Sequence, residues 1–232
     1  VHQNRRWDED FLTNKKIYDE HKLGDVFRIE SRVHGAHGMP GDWRQEKEHG
    51  GGMVLDWGVH MLDQILMMMK GQKLSTVYAT FTNVTNQLVE DGFTTVLTFE
   101  SGTEVLVEVG TNNFVSLPRW YMLGQDGTAV IRDWDLSGEI VCAAGSDEKD
   151  VVPVRTAAGL TKTMAPRRED TIHRYELPVV RSDIREFYRN VMAVIRGEEE
   201  SRIKLSEVMR VMKLMEKIFE SAKSKQILDF EK

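Results

Sequence analysis

A chain of 232 residues, 41% hydrophobic and 29% charged with a formal net charge of -6, has the balance of a globular protein and the length for one large domain or two small ones. The acidic balance and the lack of any Lys/Arg block argue against a nucleic-acid surface, and no apolar run is long enough to span a bilayer. A single cysteine, Cys142, excludes an internal disulfide and a cysteine-based zinc site, and suits a cytoplasmic setting.

The chain starts at Val1 inside "VHQNRRWDEDF", which reads as a strand end feeding a helix and suggests a piece of a longer protein. A helix is expected over residues 8–22, with Asp8 as its cap and Gly24 beyond its end. "DVFRIESRVHG" alternates as a strand, and residues 35–52 form a glycine-rich loop. Leu55, Val59, Leu62, Leu66 and Met69 then recur at helical spacing and predict one apolar stripe, closed by Gly71. From residue 76 to about 155 the period switches to two. Six strand candidates follow, punctuated by Asp91-Gly92, Ser101-Gly102, Asp126-Gly127 and Ser137-Gly138, the signature of an antiparallel meander. Val105, Val107 and Val109 form the more apolar register and are expected to meet helices, leaving Glu104, Leu106 and Glu108 on the other face. Residues 156–177 read as a long loop. Two closing helices are expected, the first capped by Ser182 with the stripe Ile184, Phe187, Tyr188, Val191 and Ile195. The second carries Val208, Val211, Met212, Met215, Phe219 and Ala222. The fold class is α+β: a large, mainly antiparallel open sheet with helices packed on one face. No dinucleotide fingerprint is present, because "GAHGMPG" has the wrong glycine spacing and opens no striped helix.

Candidate chemistry sits in "HGGGMVLDWGVHMLDQIL", where Asp56 and His60 lie four residues apart and Asp63 extends the line. On a regular helix they share a face at the edge of the buried stripe, where a pocket wall would be. A carboxylate beside an imidazole raises its proton affinity and fixes its tautomer, as a general base requires. The alternative from spacing alone is that Asp56 caps the helix and His60 bonds within the packing. His34, His37, His49, Asp56 and His60 supply enough donors for a metal, but their spacing matches no metal signature, so no metal site is assigned.

The same segment resembles the G-G-G-x-L-x-D-x-G-x-H-x-x-D stretch of the Gfo/Idh/MocA oxidoreductases, which include glucose–fructose oxidoreductase and inositol dehydrogenase. "QNRRWDEDF", "LGDVFRIESRVHG", "RSDIREFYRNVMAVIRGEE" and "SAKSKQILDF" resemble further segments of that family in the same order. The resemblance implies an α+β domain that follows a Rossmann domain. On that reading residues 1–24 are a remnant or linker after a missing Rossmann domain, and 25–232 are the substrate-binding and oligomerisation domain. NAD or NADP would be bound mainly by the absent part, so this chain alone would be inactive. The resemblance implies that His60 exchanges a proton with a substrate hydroxyl or carbonyl, that Asp56 orients and polarises it or holds a substrate hydroxyl, and that Asn4 and Arg5 face the pocket. Trp43, Arg44 and Trp57 are added here as substrate-binding candidates, since indole faces stack on sugars and polyols. The loop "TNNFVSLPRW" is expected to reach the same pocket, and the glycines before Asp56 to let substrate and nicotinamide approach. A homodimer or homotetramer through the sheet is implied as well. Two other readings remain open: a non-catalytic binding or scaffold domain of this fold, and a metal-dependent hydrolase.

Overall fold

The computed structural model describes residues 1–145, 153–161 and 165–231. Its strands are β1 (Val26–His34), β2 (Leu74–Thr82), β3 (Gly92–Phe99), β4 (Glu104–Gly110), β5 (Trp120–Gly124), β6 (Gly127–Ile131), β7 (Gly138–Ala143), β8 (Val154–Thr156), β9 (Gly159–Thr161), β10 (Ile172–Tyr175) and β11 (Leu228–Asp229). The helices are α1 (Glu9–Asp19), α2 (Val59–Met68), α3 (Arg185–Ile195) and α4 (Leu205–Ser224). Nine strands form one open sheet in the order β10-β7-β6-β5-β1-β4-β3-β2-β11, while β8 and β9 pair apart from it. The α+β class read from the sequence is the one observed.

All six expected strands form, yet the sheet is not a continuous meander. β1 lies between β4 and β5, parallel to β4 and antiparallel to β5. Residues 111–119 hold no tight-turn pair, so the chain passes over β1 instead of turning back beside β4. Residues 156–177 are not one loop either, since β9 and β10 fall within them and β10 extends the sheet beyond β7; residues 162–164 of that stretch lie outside the described residues.

Val105, Val107 and Val109 are buried, as their alternation predicts, and join Val77, Leu97 and Phe99 beneath Met61, Leu62, Ile65, Leu214 and Ile218 of α2 and α4. The opposite face carries a charge ladder set by the register: Arg28 bonds Glu30 and Glu104 at 2.6 and 2.5 Å, and Arg32 reaches Glu108 at 3.1 Å. Residues 1–24, expected as a linker, contribute Phe11, Ile17 and Leu23 to the same core. Asp8 sits at the start of α1 but caps nothing with its side chain, which instead takes a hydrogen bond from Arg5.

Three stripes depart from expectation. Leu55 is exposed and Val54 buried, because residues 54–58 form a π turn, in which Val59 N–H reaches back to the Val54 carbonyl. The wide turn holds one extra residue, which shifts the phase of everything before α2. Most of the α3 stripe, Ile184, Tyr188, Val191 and Ile195, faces solvent; Phe187 alone of it is buried, in a small cluster with Ile203, Val208 and Trp7. Asp183, not Ser182, accepts the Arg185 N–H at the start of that helix. In α4, Met212 is exposed and Leu214 and Ile218 take the core positions.

Candidate active site

One face of α2 holds the N-terminal segment. His60, Asp63 and Gln64 stand three and four positions apart, so they project together. Gln64 Nε2 donates to the Arg5 carbonyl at 2.7 Å. Arg6 grips Asp63 through two bonds of 2.7 and 2.6 Å and reaches Glu207 of α4 at 2.8 Å. This fork is almost wholly buried, so loss of Arg6 strands the Asp63 carboxylate and loss of Asp63 leaves the guanidinium with Glu207 alone. Burial raises the Asp63 carboxyl above its ordinary value, against the opposing pull of Arg6. The clamp fixes a short 3-10 turn, Asn4–Trp7, beside the π turn.

Asp56 lies within the π turn. Its Oδ2 accepts from Arg44 Nε at 2.9 Å, and Arg44 is also held by Asp42 at 2.7 Å. Hydrogen bonding to Asp56 raises the guanidinium further above its already high value. Asp56 and His60 therefore do not form the expected pair. The imidazole bonds elsewhere, with Nδ1 3.1 Å from Gln3 Oε1. Its proton affinity is lowered rather than raised, to a pKa of about 4, first by burial and then by the positive charge of Arg5; Asp56 pulls the other way and does not prevail. The carboxylate is instead paired with Arg44, and the imidazole with Gln3.

The glycines have a different use from the one expected. A Cβ on Gly51 would sit 2.4 Å from the Arg44 carbonyl oxygen. Gly52 has φ +105°, and a Cβ there would lie 2.3 Å from the Glu90 carboxyl, whose Oε1 accepts the Val54 N–H at 3.0 Å. The protein's own groups fill the space that the missing side chains leave. The glycines thus let the loop and Glu90 close on the π turn, rather than leaving that space to substrate or nicotinamide.

The open space lies on the other side of Asp56. A cavity of about 740 Å³ is lined by Arg5, Arg44, Asp56 and Trp57, together with His34 and Trp134. The Arg5 guanidinium sits 3.9 Å over the Trp57 ring, and Arg119 sits 4.7 Å over Trp134. The two indoles stand 6.0 Å apart at 43°. They form an aromatic wall backed by a cation at each end. Four of the seven sequence candidates thus meet in this wall. His60 is not among the lining residues, although Arg5 and Asp56, which are, lie near enough to act on its charge. Asn4 is half-buried and outside the lining, and Trp43 is exposed, with Arg44 4.7 Å over its ring. Of the loop "TNNFVSLPRW", Thr111 lines the cavity whereas Phe114 and Val115 face solvent. Trp134 and Gln3 were not found by sequence reasoning. Trp134 arrives from the β6–β7 connection, and only the topology brings it to α2. Gln3 carried no motif of its own.

Among the described residues no three His, Cys, Asp or Glu side chains stand together to hold a metal, and no helix is long and apolar enough to cross a membrane.

Residues 11–130, more than half of the chain, match the family model of the GFO/IDH/MocA C-terminal domain. The chain belongs to the Gfo/Idh/MocA family. It is 27% identical over 246 residues to an uncharacterized oxidoreductase of Schizosaccharomyces pombe, covering 97% of this chain and 65% of that protein. It is 25% identical to scyllo-inositol 2-dehydrogenase (NADP(+)) of Bacillus subtilis, covering 100% of this chain and 64% of the relative. The crystal structure of an NAD-binding protein from Listeria innocua superposes with a TM-score of 0.94 at 46% identity, over 99% of this chain and 66% of that one. The chain therefore spans about two thirds of the length of these relatives.

Proposed function

We propose that this chain is the substrate-binding and proton-transferring part of a nicotinamide-dependent oxidoreductase that acts on a sugar, inositol or related polyhydroxy compound. One observation carries the reading: the Asp56–Arg44 pair and the Trp57–Trp134 wall meet in one cavity beside His60, in a Gfo/Idh/MocA chain. The relatives' names support both the class of reaction and the class of substrate.

The indole faces take the apolar face of a polyol ring, and the partly exposed ion pair takes its hydroxyls. Asp56 accepts a substrate O–H, and Arg44 donates to a neighbouring oxygen while fixing the carboxylate. Arg5 closes the wall over Trp57. His60, neutral at physiological pH, receives the hydroxyl proton as the alcohol becomes a carbonyl, or returns it in the reverse direction. A nicotinamide supplies the acceptor for the hydride. The described residues do not fit its pyrophosphate: no glycine turn opens a helix toward the cavity, and Gly51 and Gly52 are filled from within. Dinucleotide binding belongs, on this proposal, to a Rossmann domain outside these 232 residues, and a cytoplasmic setting goes with it.

The test is the intact protein with NAD or NADP and a panel of inositols and aldoses, followed by nicotinamide absorbance. Turnover with at least one polyol, weakened in Trp57→Ala mainly through KM, is expected. No turnover across the panel with a cofactor that demonstrably binds would overturn the proposal.

A further inference from the structure

His60 Nδ1 lies 3.1 Å from Gln3 Oε1, and an amide oxygen can only accept. The contact is a hydrogen bond only if Nδ1 carries the hydrogen. A neutral imidazole has one N–H, so Nε2 is then a bare lone pair. Among the described residues nothing hydrogen-bonds Nε2, whereas Gln3 is itself only 2% exposed and locked between the 3-10 turn and α2. The charged and titratable groups around the ring are Arg5, Asp56 and His2. Arg5 opposes a proton on the imidazole, and Asp56 is committed to Arg44. Which nitrogen holds the single hydrogen is therefore decided by Gln3.

We infer that Gln3 is the positioning residue for His60, holding it in the Nδ1–H tautomer so that Nε2 is the proton acceptor. The inference rests on the proposed proton-transfer role of His60 and deepens it. In the direction of alcohol oxidation, the O–H bond of the substrate breaks and its proton joins the Nε2 lone pair to give imidazolium, while the electron pair of the carbinol C–H bond would leave as hydride to the nicotinamide bound by the intact protein. The opposite tautomer would present an N–H to the substrate hydroxyl and could not take the proton. Gln3 does not touch substrate in this scheme, and Asp56 is released from orienting the base. Turning the amide over would place the Gln3 Nε2 against the ring and reverse the tautomer. In the orientation observed, the Gln3 Nε2 is buried and has no hydrogen-bond partner among the described residues.

The test is a long-range proton–nitrogen correlation spectrum of the intact protein labelled with 15N-histidine, with the His60 signals identified by their loss in His60→Asn. At neutral pH the wild type should show a protonated, pyrrole-like Nδ1 and a pyridine-like Nε2. Gln3→Leu should move the hydrogen onto Nε2 and lower kcat/KM by about tenfold or more, up to the 10²–10⁴-fold that a general base contributes. Gln3→Glu keeps an acceptor and should keep Nδ1–H. A wild-type His60 carrying its hydrogen on Nε2, or a tautomer unchanged in Gln3→Leu, overturns the role of Gln3. If the tautomer changes in Gln3→Leu and turnover does not, Gln3 sets the tautomer but the proton-transfer role of His60 is what fails.

Discussion

Arg44 Nε donates to Asp56 Oδ2 across 2.9 Å, and this contact joins the glycine-rich loop to the π turn that precedes α2. It places a carboxylate with a fixed orientation in the wall of the cavity. Both side chains are partly open to water, with 30% and 16% of their surface exposed. The pair therefore adds little to stability, about 0–1 kcal/mol. Arg44→Ala should leave Tm within a degree or two while kcat/KM for a polyol falls about 10²-fold, the scale of a small misplacement of a positioning group. Steady-state kinetics beside a thermal melt check this; a large loss of Tm with unchanged kcat/KM would make the contact structural.

The Arg6–Asp63 fork should behave in the opposite way. Asp63→Asn leaves a buried guanidinium with Glu207 as its remaining partner, and a cost of about 3–5 kcal/mol is expected in chemical denaturation. The double variant Arg6→Met with Asp63→Leu removes both charges and should recover most of that loss. A double variant as unstable as the single one would show that the packing of the fork, not its charge, holds the N-terminal segment on α2.

His60 couples stability to pH. Its folded pKa is depressed from 6.5 to about 4, so between those values the unfolded chain binds a proton that the folded chain refuses. Stability contributed by the neutral imidazole is present above pH 6.5 and drains away as pH falls toward 4, by at most about 1.4 kcal/mol per pH unit. Denaturation midpoints measured across that window should fall more steeply for wild type than for His60→Asn. Parallel curves would show that the imidazole titrates normally.

Strand identity was legible because period two survives from sequence to sheet, and the burial of Val105, Val107 and Val109 follows from alternation alone. The place of β1 was not, since pairing partners depend on where residues 111–119 travel. The stripe of α2 was readable after residue 59 and shifted before it, because a π turn adds a residue that a 3.6 period cannot register. The stripe of α3 was read correctly as amphipathic, but amphipathicity does not say whether a partner is present in the same chain. At the site, Asp56, His60 and Arg44 share a short segment and could be named from it. The aromatic wall joins Trp57 to Trp134 across the five strands β2 to β6, and no spacing rule links them. Charge environment was the least legible feature, for Asp56 stands four residues from His60 in sequence yet is neutralised by Arg44.

The free face of the sheet supports a proposal of self-association. Leu106, Val96 and Tyr121 stand on it, half-buried, among the ladder of Arg28, Glu30, Arg32, Glu104 and Glu108. A patch with both charge signs in alternation complements itself across a two-fold axis. Light scattering at tens of micromolar protein should give at least a dimer mass, and Leu106→Arg should shift it toward monomer. A monomer mass for wild type would remove this face as an interface.

On the proposed function, His60 handles the proton of an oxidoreductase reaction near the Asp56–Arg44 pair. The most direct measurement is kcat/KM of the intact His60→Ala protein with saturating cofactor, taken beside its circular dichroism. A fall of about 10²–10⁴-fold with an unaltered fold is predicted. Activity within a few-fold of wild type would contradict it.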